Sequence, residues 1–244
     1  MTDPLFSVGT PPVDSQVKYW DLWNLESRVG SLDFHCACIR DEALKWARTM
    51  GPRPHILEVG CGTGWLSESL ASVGETTGVD LSPKAIAHAK ARGGDARYLC
   101  GDFMTLGLPR PFDLIVTADS ISHVPDQKAF VDRCADLLRP GGRLVLMSQN
   151  EFVYRRVSWV KPPAEGLIRR WPTRAELRTL LRERFTIEYS ATVAPLEGDM
   201  GVMRLANSRF GWGIVRRIVG RDRGIRLYSR LGWGSELVFV ARRH

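Results

Sequence analysis

The chain has 244 residues, 44% hydrophobic and 25% charged, enough for one α/β domain with a sizeable core and too few to favour two independent domains. No run of eighteen apolar residues argues for a membrane-spanning helix, and the start, MTDPLFSVGTPP, has neither the basic flank nor the apolar stretch of a secretory leader; the expectation is a cytoplasmic protein. Five scattered cysteines, Cys36, Cys38, Cys61, Cys100 and Cys134, without paired spacing point to neither a zinc site nor a disulfide frame, and no metal is expected. The net charge of +7 is uneven, because residues 151–244 hold 19 Lys and Arg against 9 Asp and Glu while residues 1–150 are slightly acidic.

In chain order, residues 1–14, with Pro4, Pro11 and Pro12, read as a loose arm. Ser15–Val29 has the spacing of a helix capped by Ser15, with Val17, Trp20, Leu22, Trp23 and Leu25 near one face. This helix either packs on the domain or folds over the mouth of a site, with Tyr19 or Trp20 in its wall. Leu32–Met50 reads as a second helix, its buried stripe supplied by Ile39, Ala43, Leu44, Trp46 and Ala47. A β-rich run, Ile56 to Val59, then ends at Gly60-Cys61-Gly62-Thr63-Gly64, where three glycines in five residues permit a turn closed to side chains. A helix from Trp65 to Val73 follows, and a second strand, Thr76–Val79, stops at Asp80. Strand, glycine turn and helix start put unpaired backbone N–H groups beside open space. An acid about 20 positions past the first glycine is where a βαβ unit binds a ribose diol. The residues therefore point to a nucleoside site.

A dinucleotide turn would need its third glycine at Trp65, a residue too large for close helix packing under a pyrophosphate. Glu58-Val59-Gly60-Cys61-Gly62-Thr63-Gly64 instead resembles motif I of the class I S-adenosylmethionine-dependent methyltransferases. That resemblance implies a Rossmann-like seven-stranded mixed sheet in the order 3-2-1-4-5-7-6. It also implies that Glu58 organises the methionine end, that Gly60, Gly62 and Gly64 with small Cys61 cradle it, and that Asp80, with Leu81 beside it, takes the ribose. The bland reading of the same glycines is a tight turn and nothing more.

Ser82-Pro83-Lys84 has the chemistry of a helix start, and the helix runs to about Arg92. Arg97–Cys100 is a third strand, followed by Asp102 and Phe103, which the family places at the adenine; a plain loop acid is the competing reading of Asp102. After a fourth strand, Phe112–Thr117, the Ala118 carbonyl stands ready for the cofactor amine. Further on, His123-Val124-Pro125-Asp126 resembles the small-molecule branch that includes the ubiquinone-biosynthesis O-methyltransferases, although Ser122 stands where that branch usually has an acid. The Asn/Asp-Pro-Pro-aromatic motif of nucleic-acid amino methyltransferases is missing. His123 is the candidate base, since imidazole titrates near working pH, with bracing of the loop as its alternative role. Tyr19 is a second catalytic candidate, Asp119 could orient the base, and His35 reads as structural.

Gln127–Leu138 reads as a helix stopped by Arg139-Pro140-Gly141-Gly142 before a fifth strand, Arg143–Met147. A helix opens at Pro172-Thr173 and runs to about Arg184, the sixth strand is Thr186–Val193 and the last is Glu236–Ala241. Two inserts rich in Arg and aromatics, 151–172 and 196–234, leave the sheet where ligands bind and are expected to form a basic acceptor lid. The layout is thus a helical cover (1–50), a cofactor core (51–150) and the remainder of the same domain (151–244). The resemblance is specific over about residues 55–150. It implies methyl transfer from S-adenosylmethionine to an oxygen or nitrogen of a small, acidic or aromatic acceptor, with no specific nucleic-acid partner and homodimerisation left open. The rivals are a nicotinamide oxidoreductase and a non-catalytic nucleoside-binding module whose Arg-rich lid meets RNA or anionic lipid.

Overall fold

The computed structural model describes every residue except 1, 2, 8, 28–32, 110, 196 and 197. Seven strands, β1 (His55–Val59), β2 (Glu75–Asp80), β3 (Arg97–Cys100), β4 (Phe112–Ala118), β5 (Leu138–Gln149), β6 (Phe185–Pro195) and β7 (Gly234–Arg243), form one sheet in the order 3-2-1-4-5-7-6. The first five pair in parallel, while β7 runs antiparallel to both β5 and β6.

Both faces of the sheet are covered, which is why the central strands read as near-continuous apolar runs. Alternate residues serve opposite layers. Leu57, Val59, Ile115, Leu144 and Leu146 pack with Phe130, Leu177 and Leu181 from α5 (Gln127–Leu137) and α7 (Arg174–Leu181). Their neighbours Ile56, Leu114, Val116, Val145 and Met147 pack with Ile39, Ala43, Leu66 and Leu70 from α2 (Phe34–Ala47) and α3 (Trp65–Ala71). Side-chain caps start three of the other helical segments as their residue types require. Ser82 caps α4 (Pro83–Ala91), Asp126 caps α5, and Thr173 with Glu176 forms a capping box on α7.

Several boundaries differ from the expectation. The first helix, α1, spans Val13–Ser27, so Ser15 lies in its first turn instead of capping it, and Leu22 is 59% exposed. Val29, Leu32, Leu196 and the side chain of Leu25 lie outside the described residues. The true cap of α2 is Asp33, which accepts from the Cys36 N–H at 2.8 Å. Arg139–Gly142 does not precede β5 but belongs to it: Phe112 pairs with Leu138 and Leu114 with Arg143, so the glycine segment is a bulge, held by Arg139 on Asp113 at 2.5 Å.

The segment after β5 contains one short turn of helix, α6 (Glu151–Tyr154), and that after β6 contains α8 (Gly201–Asn207), α9 (Arg209–Val219) and α10 (Arg221–Arg230). On α9 the i, i+4, i+8 stripe of Phe210, Ile214 and Ile218 faces solvent, while Trp212 and Val215 close on Gly224 of α10. No described helix is long and apolar enough to cross a membrane.

Candidate active site

The carboxyl ends of β1, β2 and β4 open into a cavity of about 900 Å³, at the upper end of the ~300–1,000 Å³ range of small-molecule sites and so roomy enough for two ligands of ordinary size. Its floor is the turn after β1. Gly60 and Gly62 have φ of +76° and +51°, and a Cβ on Gly60 would lie 2.0 Å from the Ser120 hydroxyl, so the turn admits only glycine there. The N–H groups of Gly60 and Cys61 both donate to the Val79 carbonyl, and that of Gly62 donates to Asp80 at 2.7 Å. Gly64 does not line the cavity. A Cβ there would meet the Tyr98 hydroxyl at 2.4 Å, so the absence of a side chain lets the start of α3 pack against β3.

Acids line the strand-end wall. Glu58 is buried and accepts from the Ser67 hydroxyl; burial pushes its carboxyl up to about 8, with the Asp80 charge adding to the effect. Asp80 is also raised by burial, against the pull of the Ser82 and Gly62 N–H groups. Both carboxyls are thus short of positive charge, the state expected of groups built to face a cation. Asp102 stands at the next strand end and uses one oxygen to accept from Met104 N–H at 2.8 Å. Phe103 packs against Phe130 with ring centroids 5.2 Å apart. Leu81, Cys61 and Ala118 also line the space.

Residues of α1 and of 151–172 also line the cavity. Asp21 on α1 accepts from the Ser82 hydroxyl at 2.6 Å and from Lys84 N–H, a long-range clip that sets the helix across the mouth. Trp20 lies edge-on to His123, centroids 4.8 Å apart, and Tyr19 packs against Trp20. His123 sits at the end of the turn Ser120–His123. Its Nδ1 is 2.6 Å from the Ile168 carbonyl; a carbonyl only accepts, so Nδ1 carries the hydrogen and Nε2 keeps a lone pair. Burial, reinforced by the Arg169 charge, lowers this imidazole to about 4. Burial likewise raises the Tyr19 phenol.

The two inserts part company here. Residues 167–171 run beside the His123 turn, with Arg170 N–H on the Ser122 carbonyl at 2.8 Å and Gln127 bridging the Ile121 and Arg170 carbonyls, and they supply Arg169 and Trp171 to the cavity wall. No described residue of 198–234 lines the cavity, unlike the lid expected from both inserts. β6 is three strands from β4, about 14 Å at ~4.8 Å per strand, and the second insert covers that edge: Thr192 of β6 donates to the Ser229 carbonyl at 2.7 Å. It braces the first insert through Asp199, which accepts from Ser158 N–H at 2.7 Å.

Three cavity residues carried no readable signal. Asn24 of α1 and Gln149 at the end of β5 line the space, and both depend on tertiary placement. His35, read as structural, also lines it: its Nε2 is 3.3 Å from buried Glu236, and with Asp119 the three ligand-type side chains come within 4.8 Å. These residues are far apart in sequence, so no spacing announced them.

Residues 57–146 match the family model described as "Methyltransferase domain". The chain is 42% identical over 102 residues to the "Ubiquinone biosynthesis O-methyltransferase" of Xylella fastidiosa strain 9a5c, a match covering 39% of this chain and 42% of that protein. The alignment thus spans about two fifths of this relative's length. Among solved structures, the N-methyltransferase NodS of Bradyrhizobium japonicum WM9 with S-adenosyl-L-homocysteine superposes with a TM-score of 0.61 at 19% identity, covering 94% of this chain and 99% of that one. Magnesium protoporphyrin IX methyltransferase of Synechocystis PCC 6803 gives 0.61 at 17% identity, covering 93% and 98%. At those identities the likeness establishes a shared fold.

Proposed function

We propose that this chain is an S-adenosylmethionine-dependent methyltransferase acting on an oxygen or nitrogen of a small molecule. One observation carries the reading: three carboxyls, Glu58, Asp80 and Asp102, stand at successive strand ends around a glycine turn in a single cavity. Such a donor set suits a ligand with a cationic end and a ribose diol, and Glu58 and Asp80, raised by burial, gain most from an incoming positive charge. The likeness to the O-methyltransferases, beside a family match over residues 57–146 that contain this turn, favours oxygen. Trp65 at the helix start leaves the nicotinamide reading without support.

When bound, the cofactor would supply a methyl group already activated on a sulfonium, so alignment of donor and acceptor contributes much of the rate. Glu58 would hold the ammonium end, Asp80 the ribose hydroxyls, Asp102 and Phe103 the adenine, and the Ala118 carbonyl a cofactor N–H. The helix α1 and residues 151–172 exclude water. His123 stays neutral at working pH, with Nε2 placed to take the acceptor's proton as the nucleophile attacks, and the edge of Trp20 and the Ile168 carbonyl fix its ring. Tyr19 would orient the acceptor.

The test is a calorimetric titration of S-adenosylhomocysteine and of NAD into the protein. The nucleoside product is expected to bind, and to bind more weakly to Asp80→Ala, whereas NAD is expected not to compete. Preference for the dinucleotide would overturn the proposal.

A further inference from the structure

The cavity is electrically divided. Glu58, Asp80 and Asp102 line it at the strand ends, and Arg169 and Lys161 line it from the segment after β5. The Arg169 guanidinium is half-buried. Its Nε donates to the Leu5 carbonyl at 2.8 Å, a terminal nitrogen donates to the Lys161 carbonyl, and the group lies 5.0 Å from the Trp171 ring centroid. Both carbonyls are neutral, and no carboxylate among the described residues pairs with it. A guanidinium has five N–H donors. Two aim and brace it, leaving the others for a ligand, and a half-buried cation without a counter-charge is a costly arrangement that an anion relieves.

Its position relative to the candidate base sharpens the point. Arg169 follows Ile168, whose carbonyl holds His123 Nδ1 at 2.6 Å, so the cationic anchor is one residue from the group that fixes the candidate base. Tyr19 lies close enough to feel the Arg169 charge. The rings of Tyr154 and Trp171, packed at 5.3 Å, give the same wall an aromatic face.

Resting on the methyltransferase reading above, we propose that the methyl acceptor carries an oxyanion, a carboxylate or a phosphate, which docks on Arg169 and thereby sets the nucleophile beside His123 Nε2. The division of charge then has a purpose. The acidic wall receives the cationic cofactor and the basic wall the anionic acceptor, and the two are drawn together in a site of low dielectric. An anion on Arg169 also offsets the smaller, charge-based part of the lowering of His123, whose main cause is burial.

The experiment is a calorimetric titration of 4-hydroxybenzoate, phenyl phosphate and 4-hydroxybenzamide, the last a neutral shape mimic, into protein with and without saturating S-adenosylhomocysteine. At least one anion is expected to bind about tenfold or more tightly than the amide, a difference of ~1.4 kcal/mol. Which anion binds better separates carboxylate from phosphate. The preference should collapse in Arg169→Gln and return in Arg169→Lys, with S-adenosylhomocysteine affinity unchanged in both. The wild-type chain gives a second reading that needs no variant, because added salt should weaken the anions and not the amide. Equal binding of amide and anions, no binding of either anion, or an anion preference untouched by Arg169→Gln overturns the proposal. Failure of S-adenosylhomocysteine itself to bind would instead overturn the nucleoside reading, and the titration without it would still decide the anion site.

Discussion

The segments after β5 and after β6 are similar in composition, arginine interleaved with aromatic rings, and both leave the sheet at its carboxyl end, yet among the described residues only the first reaches the cavity. Residues 167–171 are tied to the 121–123 turn by the Arg170 N–H on the Ser122 carbonyl and by the Ile168 carbonyl on His123 Nδ1, and end in Trp171, 4% exposed. The helices of the second segment pack on the sheet edge and leave Phe210, 79% exposed, and Ile218, 75% exposed, facing outward. Strand order decides which of two similar inserts acquires chemistry, because each strand of separation adds ~4.8 Å between a loop and the switch point.

That contrast breaks if the second segment matters for turnover or the first does not. His123→Ala should carry the largest effect, lowering turnover about 10²–10⁴-fold while leaving S-adenosylhomocysteine affinity intact; steady-state rates beside calorimetry check this, and unchanged turnover would reduce His123 to a brace. Trp171→Ala, which empties a packed site in the first segment, should cost about 3–5 kcal/mol in denaturant unfolding.

Electrostatics give a subtler test. Glu58 is raised from 4.5 to about 8, so the folded chain retains a proton that the unfolded chain releases. Stability should therefore fall as pH rises from about 4.5 to 8, by an amount on the order of a few kcal/mol. Glu58→Gln should flatten that slope in thermal melts, and a slope unchanged by the substitution would show that Glu58 is not the titrating group. A cationic ligand pulls this carboxyl back down, so S-adenosylmethionine binding near pH 7 should release protons, visible as a dependence of the binding heat on buffer ionisation. The smallest effect belongs to the second segment: Phe210→Ser should shift stability by no more than ~0.5 kcal/mol and leave turnover unchanged. A large loss there would show that the outer helices serve the site after all.

Legibility follows the range of the interactions involved. Motif I, the Ser82 cap and Asp80 were readable because turn, cap and strand end are set within a few residues by glycine conformation and hydrogen-bond chemistry. The parallel strands were readable from their apolar runs. The contact of Gly64 with Tyr98, more than thirty positions away, and the bulge at Arg139–Gly142, set by pairing with β4, were not readable because both depend on distant residues. Asn24, His35 and Gln149 enter the cavity only through the placement of α1, α2 and β5.

Local chemistry in the chain therefore determined the glycine turn and the acids at the strand ends, while the sheet order followed from the family resemblance that the turn carries. That the first insert lines the cavity, that His123 is held by the Ile168 carbonyl, and that Arg169 lines the same space with no carboxylate partner among the described residues were decided only when distant segments packed, because burial and charge pairing depend on neighbours in space and not on neighbours in sequence.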